Sequence, residues 1–248
     1  MPPPTVEVMS LKNAKVLIIG GTSGIGLGVA TAAAERGAIP VVVSRRQSSV
    51  DRALANLPDQ ASGATVDLTD PASLNRLAED VGAIDHLVFT AGESLELAPL
   101  ADLTPDIVNR FFGTRFVGAL GAVRVFAPHI AAGGSITLTS GTAAEQPGFG
   151  ALPVSLCGAM NALTRALAFE LAPLRVNAVA PGVVRTPLWD ALADADRQAM
   201  YSQAAQQLPL GRVGEVADVA RSYLYCMEQE FGTGTVLTVD GGTLLGAG

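Results

Sequence analysis

The feature that most constrains this chain is an alternation of short, β-rich apolar runs with longer helical stretches, sustained from one end to the other. Runs at 16–19, 39–43, 64–66, 84–89, 135–139, 176–179 and 235–239 give seven strands. Their continuous apolarity suits strands covered on both faces. Helical patterns fill 24–36, 71–81, 105–131, 153–172 and 215–230. Such alternation predicts an α/β protein, a doubly wound parallel sheet wrapped by helices. No linker, repeat or low-complexity block interrupts it, so 1–248 reads as one domain. Only 187–210 breaks the rhythm. Rich in Ala, Asp and Gln, it reads as an insertion within the domain, a loop that covers a substrate site.

Composition narrows the possible partners. Apolar residues make up 49% and charged residues 16%, the reverse of a disordered chain. A mean hydropathy of +0.37 calls for either a membrane or burial between subunits. No run reaches the roughly 18 uninterrupted apolar residues of a spanning helix. Residues 1–10 are Pro-rich and lack the basic and apolar regions of a signal peptide. The expectation is therefore a homo-oligomer, dimer or tetramer, away from membranes. In helix 153–172, Gly158, Ala159, Ala162 and Ala166 permit close helix approach, and Met160, Leu163 and Leu167 fill the remainder. A net charge of −7 and a pI near 4.8 disfavour a nucleic-acid partner. Two cysteines, Cys157 and Cys226, are too few for a disulfide framework or a structural zinc site, and no metal is expected. A reducing cytoplasm fits.

Gly20-Gly21-Thr22-Ser23-Gly24-Ile25-Gly26 follows the first strand and opens the first helix. Glycines there let the backbone approach a phosphate and adopt positive φ, while the helix N-terminus offers free N–H groups to an anion. The strand-before, helix-after context points to a dinucleotide. An NAD site usually places an acid at the end of the second strand to hold the ribose 2′-OH. This chain has no acid between Glu35 and Asp51; it has Ser44, Arg45 and Arg46. Guanidinium groups bind a 2′-phosphate bidentately, so the expected cofactor is NADP(H); the alternative is that both arginines are solvated surface charges.

With these residues in view, the chain resembles the short-chain dehydrogenase/reductase superfamily over essentially its whole length. The family's T-G-x-x-x-G-x-G is matched by 19–26, with Ile19 in the threonine position. Asp67-Leu68 resembles the adenine-contacting pair after the third strand, and Phe89-Thr90-Ala91-Gly92 sits where N-N-A-G is usual. The stretch 176–182, ending in Pro181 and Gly182, matches the segment of the sixth strand. Val184 and Thr186 fall where the family contacts the nicotinamide carboxamide and phosphates, and Val239-Asp240-Gly241-Gly242 is the usual ending. The resemblance implies a Rossmann-type seven-stranded sheet in the order 3-2-1-4-5-6-7 and, commonly, a tetramer.

The resemblance also locates the catalytic positions, where the family usually has Asn, Ser, Tyr and Lys. Here they fall on Arg115, Ser140, Pro153 and Cys157. No register shift restores Tyr-x-x-x-Lys, because the tyrosines are 201, 223 and 225 and the only lysines are Lys12 and Lys15. In the family the tyrosine is the general acid, and the lysine lowers its pKa and holds the ribose. Loss of a positioned acid forfeits about 10²–10⁴ in rate. Proline cannot donate a proton, and at 153 it suits the first turn of a helix. Cys157, one turn on and on the same face, is either a weak acid or simply a small apolar residue. Arg115 could orient a substrate carbonyl, stabilise an oxyanion, hold a cofactor phosphate or form a structural ion pair. Ser140 could bond substrate or the nicotinamide amide, or cap its strand. Glu145 is the first choice of spare acid; Glu93, Ser94, Glu96, Gln146 and Arg185 are the other polar groups near the mouth, and His86 and His129 read as structural.

Three functions follow from this pattern. The first is an NADPH-dependent oxidoreductase whose small organic substrate, an imine or iminium, accepts hydride without needing an acid. The chain is similar to a divergent branch of the superfamily without the Tyr–Lys pair, some of whose members reduce iminium intermediates in indole-alkaloid pathways. The second is a carbonyl reductase or alcohol dehydrogenase with a replacement acid. The third is a non-catalytic NADP-binding protein.

Overall fold

A computed structural model describes residues 10–93, 95 and 98–246. Ser94, Glu96 and the first nine residues, on which sequence readings fell, lie outside the described residues. Seven strands, β1 (Lys15–Ile19), β2 (Ile39–Ser44), β3 (Ser62–Thr65), β4 (Ile84–Phe89), β5 (Ile130–Thr139), β6 (Arg175–Pro181) and β7 (Val236–Val239), form one parallel sheet in the expected order β3-β2-β1-β4-β5-β6-β7. Alternate side chains of each strand enter opposite layers, as strand geometry requires. Leu17 and Ile19 pack with helices α3 (Pro71–Val81), α4 (Pro105–Phe112), α5 (Gly118–Phe126) and α6 (Ala151–Glu170). Val16 and Ile18 pack on the other face with α1 (Gly24–Glu35), α2 (Gln47–Leu54) and α8 (Val216–Glu228). Helix α6 is long and apolar enough to cross a membrane, but its Leu152, Leu156, Met160 and Leu167 are buried in the core.

Four local expectations are corrected. Residues 105–131 do not form one helix. Gly113 and Gly118, both poor helix formers, bracket a π-helical turn over Gly113–Val117 that separates α4 from α5. Pro128 lacks an N–H and falls in a 3-10 turn, after which β5 begins at Ile130, five residues earlier than expected. Helix α2 went unforeseen because its polar sequence leaves only Val50 and Ala53 buried. Residues 187–210 are no loop: they contain α7 (Asp194–Gln207), with Asp194 and Asp196 in the first turn, where the helix dipole favours acids. A separate small core of Trp189, Tyr201, Leu208 and Val213 holds that segment.

Two buried polar residues fasten the lower half of the sheet. Arg175, at the start of β6, donates to the carbonyls of Cys226, Gln229, Met227 and Gly133. His86 on β4 shares a 2.9 Å hydrogen bond with Ser135 on β5. Burial, and then the nearby Arg175 charge, push the His86 imidazole down from 6.5 to about 4. The folded state therefore holds His86 neutral, while the unfolded chain takes up a proton below its ordinary pKa. Stability is full above that value and falls as pH drops from 6.5 toward about 4, by about 3 kcal/mol. Urea denaturation across this range should show the slope in wild type and a flatter one in His86→Gln.

Candidate active site

The site assembles where strands β1, β4, β5 and β6 end. Gly20 (φ 91°) and Gly24 (φ 50°) hold left-handed backbone between β1 and α1. A Cβ on Gly20 would lie 2.7 Å from Ala91 Cα, and one on Gly26 would overlap Gly20 O and Thr90 Oγ1. The turn thus presses directly against the end of β4. Residues 186 and 187 close over it: a Cβ on Gly24 would meet Pro187 at 3.4 Å and Thr186 at 3.6 Å. Val184 is buried, bridged to Gly214, and accepts from the Trp189 indole. Gly182 packs against Asp240.

Side-chain caps close some helix N-termini and leave others open, those of α1, α2, α6 and α7 among them. Asp70 caps α3, Thr104 caps α4, and Glu215 and Asp218 form a capping box on α8. Ser23, the N-cap of α1, makes no side-chain cap, and neither does Arg46 at α2. The leading N–H groups of α1 are thus left for an outside acceptor, above a cradle that any Cβ would fill. These residues fit a dinucleotide's phosphates. Ser44 ends β2, and Arg45 and Arg46 stand exposed beside it; Arg45 reaches Glu93 at 3.8 Å. Asp67 accepts from Thr69 N and Oγ1, which hold its carboxyl below the usual range. Leu68 packs against α5 at Gly118.

The four positions that the resemblance marks as catalytic divide into two groups. Pro153 lies in the first turn of α6, with Cys157 one turn on, and that face meets the end of β5. Ser140 Oγ donates to Asn161 Oδ1 at 2.6 Å and approaches Cys157 O at 3.1 Å. Burial pushes the Cys157 thiol up to about 11, although Arg115 and the neighbouring hydrogen bonds draw it back. It is therefore a protonated thiol near neutrality, not a thiolate. Arg115 leaves the π-helical turn toward Gly92, where a Cβ would stand 3.0 Å from its Nε. It donates to the Glu93 carbonyl and lies 4.8 Å from the Phe111 ring centroid. Burial lowers its pKa from 12.5, and the nearby Glu93 charge partly offsets this.

Glu145 is exposed and lines a cavity of about 710 Å³ with Pro99, Gln146, Phe149 and Pro153. Arg185 is drawn away from the cradle, to Glu215, Gln198 and the Tyr201 ring. The tyrosines offer no substitute acid. Tyr223 reaches Thr139 from the α8 side of the sheet, and burial pushes its phenol above the usual range. Tyr201 lies in the small core, and Tyr225 is exposed on α8. Sequence reasoning missed Asn161. The four-residue spacing 153, 157, 161 along one helix face was the available signal.

Comparison with known proteins follows this geometry. Residues 8–246 match the SDR-like Rossmann domain family. The chain is 37% identical to the short-chain dehydrogenase/reductase malC of Malbranchea aurantiaca, over 95% of this chain and 96% of malC. The solved structure of that fungus's MalC reductase/Diels-Alderase superposes with a TM-score of 0.86 at 36% identity, covering 95% and 98% of the two chains. A small-chain dehydrogenase in complex with NADPH gives 0.78 at 32% identity, covering 94% and 100%. An NADPH-bound short-chain oxidoreductase of Pseudomonas aeruginosa PAO1, described as containing an atypical catalytic centre, gives 0.84 at 26% identity, covering 92% and 96%. By its sheet order, its glycine cradle and these matches along nearly its full length, the chain belongs to the short-chain dehydrogenase/reductase superfamily.

Proposed function

We propose that the protein is an NADPH-dependent reductase that delivers hydride to a small iminium substrate. The observation that carries this reading is a glycine cradle kept beside a site in which Pro153 stands at the position of the superfamily's tyrosine. Two uncapped helix N-termini and the Arg45–Arg46 pair offer donors for pyrophosphate and 2′-phosphate. The positions where the superfamily places its tyrosine and lysine hold Pro153 and a high-pKa thiol. NADPH, when bound, supplies the hydride. An iminium carbon accepts it and leaves a neutral amine, so no alkoxide has to be protonated. Arg115, half-buried beside Gly92 and Glu93, takes over the ribose-holding half of the missing lysine's work. Glu145 and Phe149 line the space beside Pro153 in which the substrate's body sits. The names of the NADPH-bound relative with an atypical centre and of the MalC reductase/Diels-Alderase are consistent with this reading. A second copy of the chain is proposed to pack on the outward face of α6, where Gly158, Ala162, Ala166 and Phe169 are exposed.

One experiment tests the reading. Calorimetry should give at least about tenfold tighter binding of NADPH than of NADH, from charge-assisted arginine–phosphate bonds. Replacing Arg45 and Arg46 together by Ala should erase most of that ratio. With NADPH, a protonated dihydroisoquinoline should be reduced at least about 100-fold faster than α-tetralone. Carbonyl reduction, with the Arg115 guanidinium stabilising the alkoxide, is the rival favoured by that residue's place beside Gly92 and near the Cys157 thiol. Faster turnover of the ketone would replace the first reading by the second.

A further inference from the structure

The hydroxyl at the end of β5 has one proton, and its neighbours decide where that proton points. Ser140 Oγ lies 2.6 Å from Asn161 Oδ1 and 3.1 Å from Cys157 O, and it also meets the protonated Cys157 thiol, which can donate to one of its lone pairs. The two carbonyl oxygens can only accept. The amide oxygen is the nearer and takes the proton. The serine backbone is fixed as well, since its N–H donates to Val179 O at 2.8 Å. Cys157 and Asn161 are one helical turn apart on α6, so a single rigid face holds the hydroxyl.

We propose that Asn161 is a positioning residue: it holds the Ser140 proton, so that the Ser140 oxygen meets the substrate as a hydrogen-bond acceptor and selects a protonated cyclic imine by its N–H. This rests on the iminium-reductase reading and deepens it. A protonated imine offers one N–H donor and has no lone pair on nitrogen, so it complements an oxygen that has given its proton to Asn161 and keeps a lone pair to accept with. A ketone offers only lone pairs. To bond it, Ser140 would have to release Asn161 and leave a partly buried amide oxygen without a donor. The reaction balances without a protein acid. Hydride with its two electrons reaches the iminium carbon, the C=N π pair becomes the nitrogen lone pair, and the products are the amine and NADP⁺. The nitrogen keeps its proton throughout, and Ser140 keeps its own.

The test uses the full chain with NADPH, and compares a protonated dihydroisoquinoline with its N-methyl salt, which has the same ring and charge but no N–H. Wild type should favour the N–H compound in kcat/KM by about 10–100-fold, the value of one charge-assisted hydrogen bond. Ser140→Ala and Asn161→Leu should each cut that ratio about tenfold, and Asn161→Asp, which keeps an oxygen acceptor, should restore it. A ratio cancels any general loss of activity or stability. Calorimetry with NADP⁺ should give the same ordering for protonated tetrahydroisoquinoline against its N,N-dimethyl salt. If both iminium compounds are reduced and the ratio stays the same in Ser140→Ala and Asn161→Leu, the acceptor role is overturned while the reductase reading stands. If neither is reduced but the binding ratio still follows Ser140 and Asn161, the reductase reading falls and the acceptor role stands.

Discussion

An Arg175→Met variant should lose about 2–4 kcal/mol of unfolding free energy, from leaving buried carbonyl oxygens without donors. Arg175 is 7% exposed and serves four carbonyls. Two of them, Cys226 O and Met227 O, belong to the last turn of α8, where carbonyls lack intrahelical partners. The guanidinium is at once a C-terminal cap, a favourable charge at the negative end of the helix dipole, and a clamp joining β6 to β5 at Gly133. Methionine fills similar volume but leaves those oxygens without donors, so the loss should come from polar groups and not from a cavity. Urea denaturation by circular dichroism would measure it. A loss below about 1 kcal/mol would mean that water replaces the guanidinium at little cost.

Gly26→Ala should abolish detectable dinucleotide binding and cost about 1–3 kcal/mol of stability. The added methyl would overlap the Gly20 carbonyl and the Thr90 hydroxyl, both fixed at strand ends. Gly20 and Thr90 are themselves held by strand hydrogen bonds, to Val43 O and Ile19 O. Helix α1 must therefore move away, carrying its free N–H groups out of the cradle. Calorimetric titration with NADPH, alongside urea denaturation, separates the two effects. Retained affinity in a folded Gly26→Ala protein would show that the phosphates sit elsewhere.

Much of this was legible in the chain. Seven apolar runs gave the strands, and the glycine turn with its strand and helix gave the cradle, because both are local patterns with a fixed period. Helix α2 was not legible, since two buried residues on a polar background leave almost no periodic signal. The π-helical turn that aims Arg115 was missed for another reason. Helical periodicity continues through a single widened turn, and only packing reveals the change of direction. Helix α7 passed for a loop because its apolar side chains pack with Trp189 and Val213, not with the main core.

The sequence by itself determined the order of the seven strands, the glycine turn after the first and the arginines after the second, since each is written in neighbouring residues. The tertiary structure alone decided which groups face one another. Ser140 and Asn161 are 21 residues apart, and Arg175 and Cys226 are 51 apart. Local periodicity tells each residue which face of its own element is buried. The partner it meets there depends on how separate elements cross, which is fixed only when the whole sheet and its two helical layers close together.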